Sequence, residues 1–221
     1  NEQSENTTLI ENELIIFKNI LKKNTPPIEF VVDDEVILFI FDFLQEPWKN
    51  SIKLSFLAII DSFVTNIKLP LLNCITDELI DSLISVLLDE NLQSYNQYYV
   101  FFYIITKILR TSCIYSSDFA KALFDQSIFF KFATDYILSL KNCINDETKL
   151  ISFINIIKIV GIWCQLDDPG VVDSIPEFIS FYTKLFHLKN VRIDNEICFS
   201  LIQTIREDPD FLEDLKENGF L

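Results

Sequence analysis

The chain has few of the residues on which nucleotide-binding loops and metal centres depend. Its 221 residues include three glycines, a single histidine and no methionine. Gly-rich loops cradle phosphate groups, so a nucleotide-binding domain is almost excluded. No Cys-x-x-Cys pair is present, which disfavours a zinc site, and we expect neither a metal nor a cofactor. The five cysteines are Cys74, Cys113, Cys143, Cys164 and Cys198. We expect them to be buried thiols in a reducing compartment, the cytoplasm or the nucleus.

Basic residues and long apolar runs are also scarce. Lys and Arg total 18 against 33 Asp and Glu, which gives a formal net charge of −15. Phosphate backbones are bound by clustered Lys and Arg, so we expect no nucleic-acid partner. The longest apolar runs, such as residues 98–105, are too short to span a bilayer, and we expect no membrane association.

What the chain does contain is helical periodicity. Hydrophobic residues make up 49% of the chain and recur every three or four positions, without sustained period-two alternation. Breaks at Asp167-Asp168-Pro169-Gly170 and at Asp208-Pro209 are typical of helix ends and restarts. Ser117 before Asp118 predicts an N-cap followed by an acidic first turn. The fold class predicted is all-α.

Four segments align without gaps and predict a repeated unit. Each has a Phe followed three residues later by an Ile, and these aligned residues are Phe56, Phe102, Phe153 and Phe199. The aligned Phe residues lie 46, 51 and 46 residues apart, and an apolar helix precedes each one. A helical unit of this period is typical of armadillo and HEAT arrays. We therefore predict a right-handed α-solenoid of about four to five repeats.

The same spacing assigns a single armadillo-like repeat domain to residues 1–221. Short helices expected at Asp118–Asp125 and Pro209–Glu217 fit the small first helix of an armadillo triplet. Because the chain does not begin with Met, we expect it to be a fragment of a longer protein. The predicted repeats are residues 9–66, 67–112, 113–166 and 167–208, with the start of a further repeat at 209–221.

A Pro-Pro-Ile turn lies within the first predicted repeat. Residues 17–32 read FKNILKKNTPPIEFVV, and residues 40–44 read IFDFL. This pattern resembles the start of the armadillo domain of the importin-α family of nuclear-import adaptors, and the specific match covers about residues 9–66. The resemblance implies a non-catalytic adaptor in nuclear transport. Such an adaptor binds an extended peptide along the third helices of successive repeats.

The resemblance also implies where a peptide-binding ladder should lie. Importin-α proteins use Trp-x-x-x-Asn arrays, in which Trp stacks on lysine stems and Asn binds the peptide backbone. No Trp-Asn pair is present at the matching positions, so binding of an ordinary import signal is in doubt. Those positions hold Ala58 and Ser62, Tyr103 and Lys107, Ile154 and Lys158, and Ser200 and Thr204.

In an armadillo stack the third helices line a concave groove, which would be basic and aromatic in this chain. Lys107 and Lys158 both lie five residues after an aligned Phe, with Tyr103 and Arg110 about one turn from Lys107. We predict that this groove binds an acidic or amphipathic peptide or helix, although such lysines are equally typical of an ordinary solvated helix face. The predicted groove residues are Asp61, Tyr103, Lys107, Arg110, Asn155, Lys158 and Thr204.

The sequence does not indicate catalysis. His187 lies in an apolar stretch that is typical of a helix C-terminus, and no carboxylate pair stands apart from the other acidic residues. We therefore predict a non-catalytic protein- or peptide-binding scaffold, with the importin-α-like adaptor as its sharper form. The alternative is a generic armadillo or HEAT scaffold in cytoskeletal or signalling complexes, without a transport role.

Overall fold

The computed structural model of the chain describes residues 48–67 and 76–220, together with residues 10, 12–14, 42 and 44. Within this part the chain is helical and contains no strand, which confirms the all-α prediction. Residues 17–32, which carry the importin-α resemblance, lie outside the described residues. The helices are α1 (Asn50–Ile67), α2 (Thr76–Leu88), α3 (Glu90–Gln93), α4 (Tyr98–Tyr115), α5 (Ser117–Asp125), α6 (Ser127–Ser139), α7 (Glu147–Trp163), α8 (Pro169–Phe186), α9 (Val191–Glu207) and α10 (Phe211–Glu217), with a 3₁₀ turn at Lys141–Cys143.

The chain divides into two compact units, an N-terminal unit (Asn1–Tyr115) and a C-terminal unit (Ser116–Leu221). Helices α1 to α4 belong to the first unit, and α5 to α10 belong to the second. The division falls close to residue 112, where the second predicted repeat ends. The assignment of both units to a single repeat domain stays a prediction.

The helix boundaries lie where capping residues and prolines predict them, except that one N-cap is displaced by one residue. Asp168 caps α8 by accepting a hydrogen bond from the Gly170 N–H, and Pro169 begins that helix as predicted. The prediction that Ser117 caps α5 is wrong by one residue. Ser116 has the extended backbone of an N-cap, and its Oγ accepts from the Phe119 N–H at 3.1 Å. Ser117 is already the first helical residue.

The core of the N-terminal unit lies where α4 packs against α1 and α2. The aligned residues Phe56 and Phe102 are both buried, as the repeat pattern predicts. The Tyr98 hydroxyl donates a hydrogen bond to the Leu87 carbonyl oxygen at 2.7 Å. This bond joins the start of α4 to the end of α2.

The core of the C-terminal unit is an aromatic cluster around Trp163, the last residue of α7. The indole Nε1–H donates to the Ala120 carbonyl oxygen of α5 at 2.9 Å. The ring centroids of four phenylalanines lie between 5.7 and 6.2 Å from that of Trp163, mostly in edge-to-face geometry. The cluster therefore holds α7 against α5, α6 and α8. Its phenylalanines are Phe124, Phe129, Phe130 and Phe178.

The fourth aligned segment does not pack as the repeat pattern predicts. Phe153 in the third segment is fully buried, whereas Phe199 in the fourth is 58% exposed. The core side of α9 instead carries Ile193, Ile197 and Leu201, which are spaced by four residues. Phe199 lies two residues, or about 200° of helical rotation, from Ile197, so it points to the opposite side. The predicted register of this segment is wrong by two residues.

The expectation that the cysteines are buried is only partly correct. Cys113 is buried and Cys164 is half-buried, but Cys143 and Cys198 are exposed. Cys143 lies in the 3₁₀ turn, and Cys198 lies on the solvent side of α9 because of the shifted register. Cys74 lies outside the described residues.

Candidate protein-binding surface

The predicted groove of the N-terminal unit centres on an ion pair between α1 and α4. The Lys107 Nζ lies 2.5 Å from Oδ2 of Asp61, and both side chains are partly buried. The two residues are 46 positions apart, which is one predicted repeat. The structure therefore brings together two of the predicted groove residues, but it pairs them with each other.

Tyr103 and Arg110 lie on the same side of α4 as Lys107. Both are half-buried, at positions four residues before and three residues after the lysine. The aromatic ring and the two cationic side chains thus follow one face of a single helix, as predicted. This face presents a mixed surface on which the lysine charge is balanced by Asp61.

In the C-terminal unit the corresponding face lies between α7 and α9. The Lys158 Nζ is 3.4 Å from Oε1 of Glu196. Nearer the start of both helices, Arg192 binds both carboxylate oxygens of Glu147, at 3.0 and 2.8 Å. Both contacts come from the single Nη1 nitrogen of Arg192 and both side chains are exposed, so the pair lies at the edge of the helix contact. Sequence reasoning missed Glu196 and the pair of Arg192 with Glu147, because no local spacing links residues about 40 positions apart.

Two predicted groove residues do not line an accessible surface. Asn155 is fully buried in α7. Thr204 is buried in α9, and its Oγ1 donates to the Ser200 carbonyl oxygen of the same helix at 3.1 Å. The shifted register of α9 turns Thr204 toward the core. Their assignment to an open groove is therefore corrected.

These pairs change the electrostatic character that the sequence predicts. Both predicted groove lysines are neutralised by a carboxylate from the neighbouring helix of the same unit. An acidic peptide would have to compete with Asp61 or Glu196 for these cations. The groove is thus less basic than Lys107 and Lys158 alone would indicate, and peptide binding there stays a prediction.

A second surface was not predicted from the sequence and lies on the side of α9 that faces away from the core. We call it the α9 outer face. Val191, Phe199 and Ile202 are 72%, 58% and 54% exposed, and no other described helix exposes three large apolar side chains. The spacing of its members by one, three or four residues places them on one side of the helix. The six exposed residues of this face are Val191, Asn195, Cys198, Phe199, Ile202 and Arg206.

One signal for this face is present in the sequence. Helix α9 contains two competing apolar series, one through Ile193 and Ile197 and one through Phe199 and Ile202. Both have helical spacing, so a helix with two such series has apolar residues on opposite sides. The alignment of Phe199 with the other repeats selected the wrong series as the core.

Two titratable side chains of the described helices are buried in the cores of the units. Burial raises the pKa of the Cys113 thiol and of the Tyr182 hydroxyl, so both stay protonated near neutral pH. His187 is the C-cap of α8, directly after Phe186, and thus lies at a helix C-terminus as predicted. Among the described residues, no group of three or more His, Cys, Asp or Glu side chains could hold a metal ion. The helices in the described part are also too short or too polar to cross a membrane.

Comparisons with protein-family models, with curated proteins and with solved structures found no match to this chain. The resemblance to armadillo repeats and to importin-α therefore stays a prediction from the sequence.

Proposed function

We propose that the chain is a non-catalytic scaffold of the armadillo or HEAT type that binds a protein or a peptide through its long helices. The observation that carries this proposal is the recurrence of one arrangement. In each unit two long helices pack against each other and are joined by a lysine–carboxylate ion pair, Lys107–Asp61 in one unit and Lys158–Glu196 in the other. Helical repeats that bury their apolar sides against neighbours leave extended faces for partners.

The finer form of the proposal is a right-handed solenoid that acts as a divergent importin-α-like adaptor in the cytoplasm and nucleus. The Pro-Pro-Ile-Glu sequence at residues 26–29 supports this form. The lack of a Trp-Asn pair at the ladder positions favours the generic scaffold, with a role in cytoskeletal or signalling complexes. The two forms differ in the charge of the peptide that they bind.

Fluorescence anisotropy with two labelled peptides tests the proposal. One peptide is a lysine-rich import signal, and the other is acidic and amphipathic. Each is titrated with the chain at 20 mM and at 150 mM NaCl, conditions that span weak to physiological screening. Binding of the acidic peptide alone supports the generic scaffold, whereas tight binding of the basic peptide supports the transport adaptor.

A charge-reversal pair locates the binding groove. Lys107→Glu with Lys158→Glu is expected to abolish binding of the acidic peptide. Lys131→Glu with Lys184→Glu changes the net charge equally at exposed positions outside the predicted groove. Equal loss in both double variants would assign the effect to net charge and not to the groove. Failure of both peptides to bind the native chain contradicts a peptide-binding function.

A further inference from the structure

The α9 outer face differs from the rest of this acidic protein in charge as well as in hydropathy. Of its six residues only Arg206 is charged, and the charge is positive. The chain as a whole carries a net charge of −15. The α9 outer face thus contains no acidic side chain, although it exposes Val191, Phe199 and Ile202 together. Isolated exposed apolar residues are ordinary, but three large ones on one side of a helix, with no acidic residue among them, are typical of an interaction site.

The stripe has the dimensions of a single helix. Val191 and Arg206 are fifteen residues apart, so the stripe is about 22 Å long. Its width is that of one helix with its side chains, about 10 Å. A face of this size is much smaller than the roughly 800 Å² per partner that a stable dimer of standard size buries. It matches one amphipathic helix of about four turns.

The same unit already shows how such a helix would pack. Helix α9 lies against α7 with apolar side chains in the contact and with ion pairs at its edge, Arg192–Glu147 and Lys158–Glu196. A further helix on the outer face would continue this packing on the other side of α9. Arg206, in the last turn of α9, is the available edge cation for a partner carboxylate.

We propose that the α9 outer face binds one amphipathic helix of a partner protein, which runs antiparallel to α9 and places carboxylates of its first turn beside Arg206. Antiparallel packing opposes the two helix dipoles, and acidic residues are favoured in the first turn of a helix. The net charge of −15 disfavours a second copy of this chain as the occupant, because two such copies repel each other. This inference rests on the proposed function, since it names the chemistry of one partner of the scaffold.

The probe for this site is a fluorescein-labelled 18-residue peptide with Leu at helical spacing on one side and three Glu in its first turn. A matched peptide of the same composition carries the three Glu in its last turn, and a scrambled peptide has no apolar side. We expect the first peptide to bind more tightly than the second, and the scrambled peptide not to bind.

Variants of the chain locate the site. Phe199→Glu and Ile202→Glu are each expected to weaken binding by at least about tenfold, because each puts a carboxylate into the apolar contact. Val172→Glu is the matched control, since Val172 of α8 is 60% exposed and lies outside the face. Arg206→Glu is expected to remove the preference for the peptide with first-turn Glu. Circular dichroism of each variant checks that the helices are retained.

The exposed cysteines give a second measurement that does not require substitution. Cys198 lies within the face, and Cys143 is exposed outside it. Bound peptide is expected to slow alkylation of Cys198 by iodoacetamide, measured by mass spectrometry of digested protein, and to leave the Cys143 rate unchanged.

Four outcomes overturn the inference in different ways. Equal binding to Phe199→Glu and Val172→Glu, with no protection of Cys198, places the peptide elsewhere and leaves the scaffold function standing. Concentration-dependent dimerisation by light scattering that is lost in Phe199→Glu assigns the face to a second copy. Absence of binding by these probes, while the extended acidic or basic peptide still binds, removes the helix site alone. Absence of binding by every peptide removes the proposed function as well.

Discussion

The two units join their long helices by similar lysine–carboxylate pairs, but only the C-terminal unit places a glycine where the helices meet. In the N-terminal unit α1 and α4 are linked by the close, partly buried pair of Asp61 and Lys107. In the C-terminal unit α7 and α9 are linked by two ion pairs and approach closely at Gly161, where an added Cβ would lie 2.9 Å from the Ser200 Oγ. The N-terminal unit contains no glycine. Helix pairs that are joined by similar ion pairs can thus differ in whether a small residue lets the backbones approach.

Among the changes that compare the two units, removing the aromatic centre of the C-terminal unit is expected to lower stability the most. Trp163→Ala deletes a fully buried indole and its hydrogen bond to Ala120, so the free energy of unfolding should fall by about 3–5 kcal/mol. Urea denaturation followed by circular dichroism at 222 nm measures the loss.

Phe102→Ala is the matched change in the N-terminal unit, because Phe102 is also fully buried. Two transitions, each shifted by only one of these variants, would show that the units unfold separately. A loss below about 1 kcal/mol for Trp163→Ala would contradict the assignment of this cluster as the core.

Gly161→Ala tests the close approach of α7 and α9. The new methyl group would collide with Ser200, and overpacking of this kind costs about 1–3 kcal/mol. Alanine is a better helix former than glycine by about 1 kcal/mol, so the net loss should be smaller than the cost of the collision.

The second substitution Ser200→Gly supplies the control for this prediction. It removes both side-chain atoms that the methyl group would meet, and the loss caused by Gly161→Ala should largely disappear in that background. A Gly161→Ala variant that is more stable than the native chain would show that the helices can separate at little cost.

Double-mutant cycles compare the ion pairs of the two units directly. We expect a coupling energy of about 0.5–1 kcal/mol for Asp61 and Lys107, each changed to Ala, because their contact is short and partly buried. The coupling between Lys158 and Glu196 should be weaker, since their charged atoms are 3.4 Å apart. Urea denaturation of the single and double variants measures both cycles. Equal couplings would remove this distinction between the units.

The smallest effect on stability is expected from titration of Asp168, the N-cap of α8. The Lys121 side chain and the Gly170 N–H hold the pKa of the Asp168 carboxyl below its ordinary value. A group with a lowered pKa in the folded state stabilises the fold above its unfolded-state pKa and loses this contribution as the pH falls through the folded value. Asp168→Asn should therefore lower the Tm at pH 7, and the difference from the native chain should shrink as the pH falls below about 4.

Lys121→Met provides the complementary control, since Asp168 keeps its hydrogen bond to Gly170 in that variant. Its Tm deficit at pH 7 should be smaller than that of Asp168→Asn. Thermal denaturation at several pH values measures both. A deficit in Asp168→Asn that does not change with pH would exclude titration of this carboxyl as the cause.

The helices could be predicted from the sequence, whereas the surface they present could not. The helix ends near Asp168 and Asp208, and the short helices at residues 117–125 and 211–217, lie close to the predicted positions, because capping and proline effects act within a few residues. The candidate site depends on contacts between residues 38 to 46 positions apart, such as Lys158 with Glu196. Periodicity says which residues share a helix face, but it does not say which side chain of another helix meets that face.

Sequence alone determined the helical class, the helix boundaries and the acidic character of this protein, since each depends on composition or on neighbouring residues. Tertiary structure alone decided which of the two apolar series of α9 is buried. Ile193 and Ile197 pack into the C-terminal unit, while Phe199 and Ile202 face solvent. Both series have a helical spacing of three or four residues, so only the fit of one side against neighbouring helices selects the core. That selection turns Thr204 inward and creates the α9 outer face.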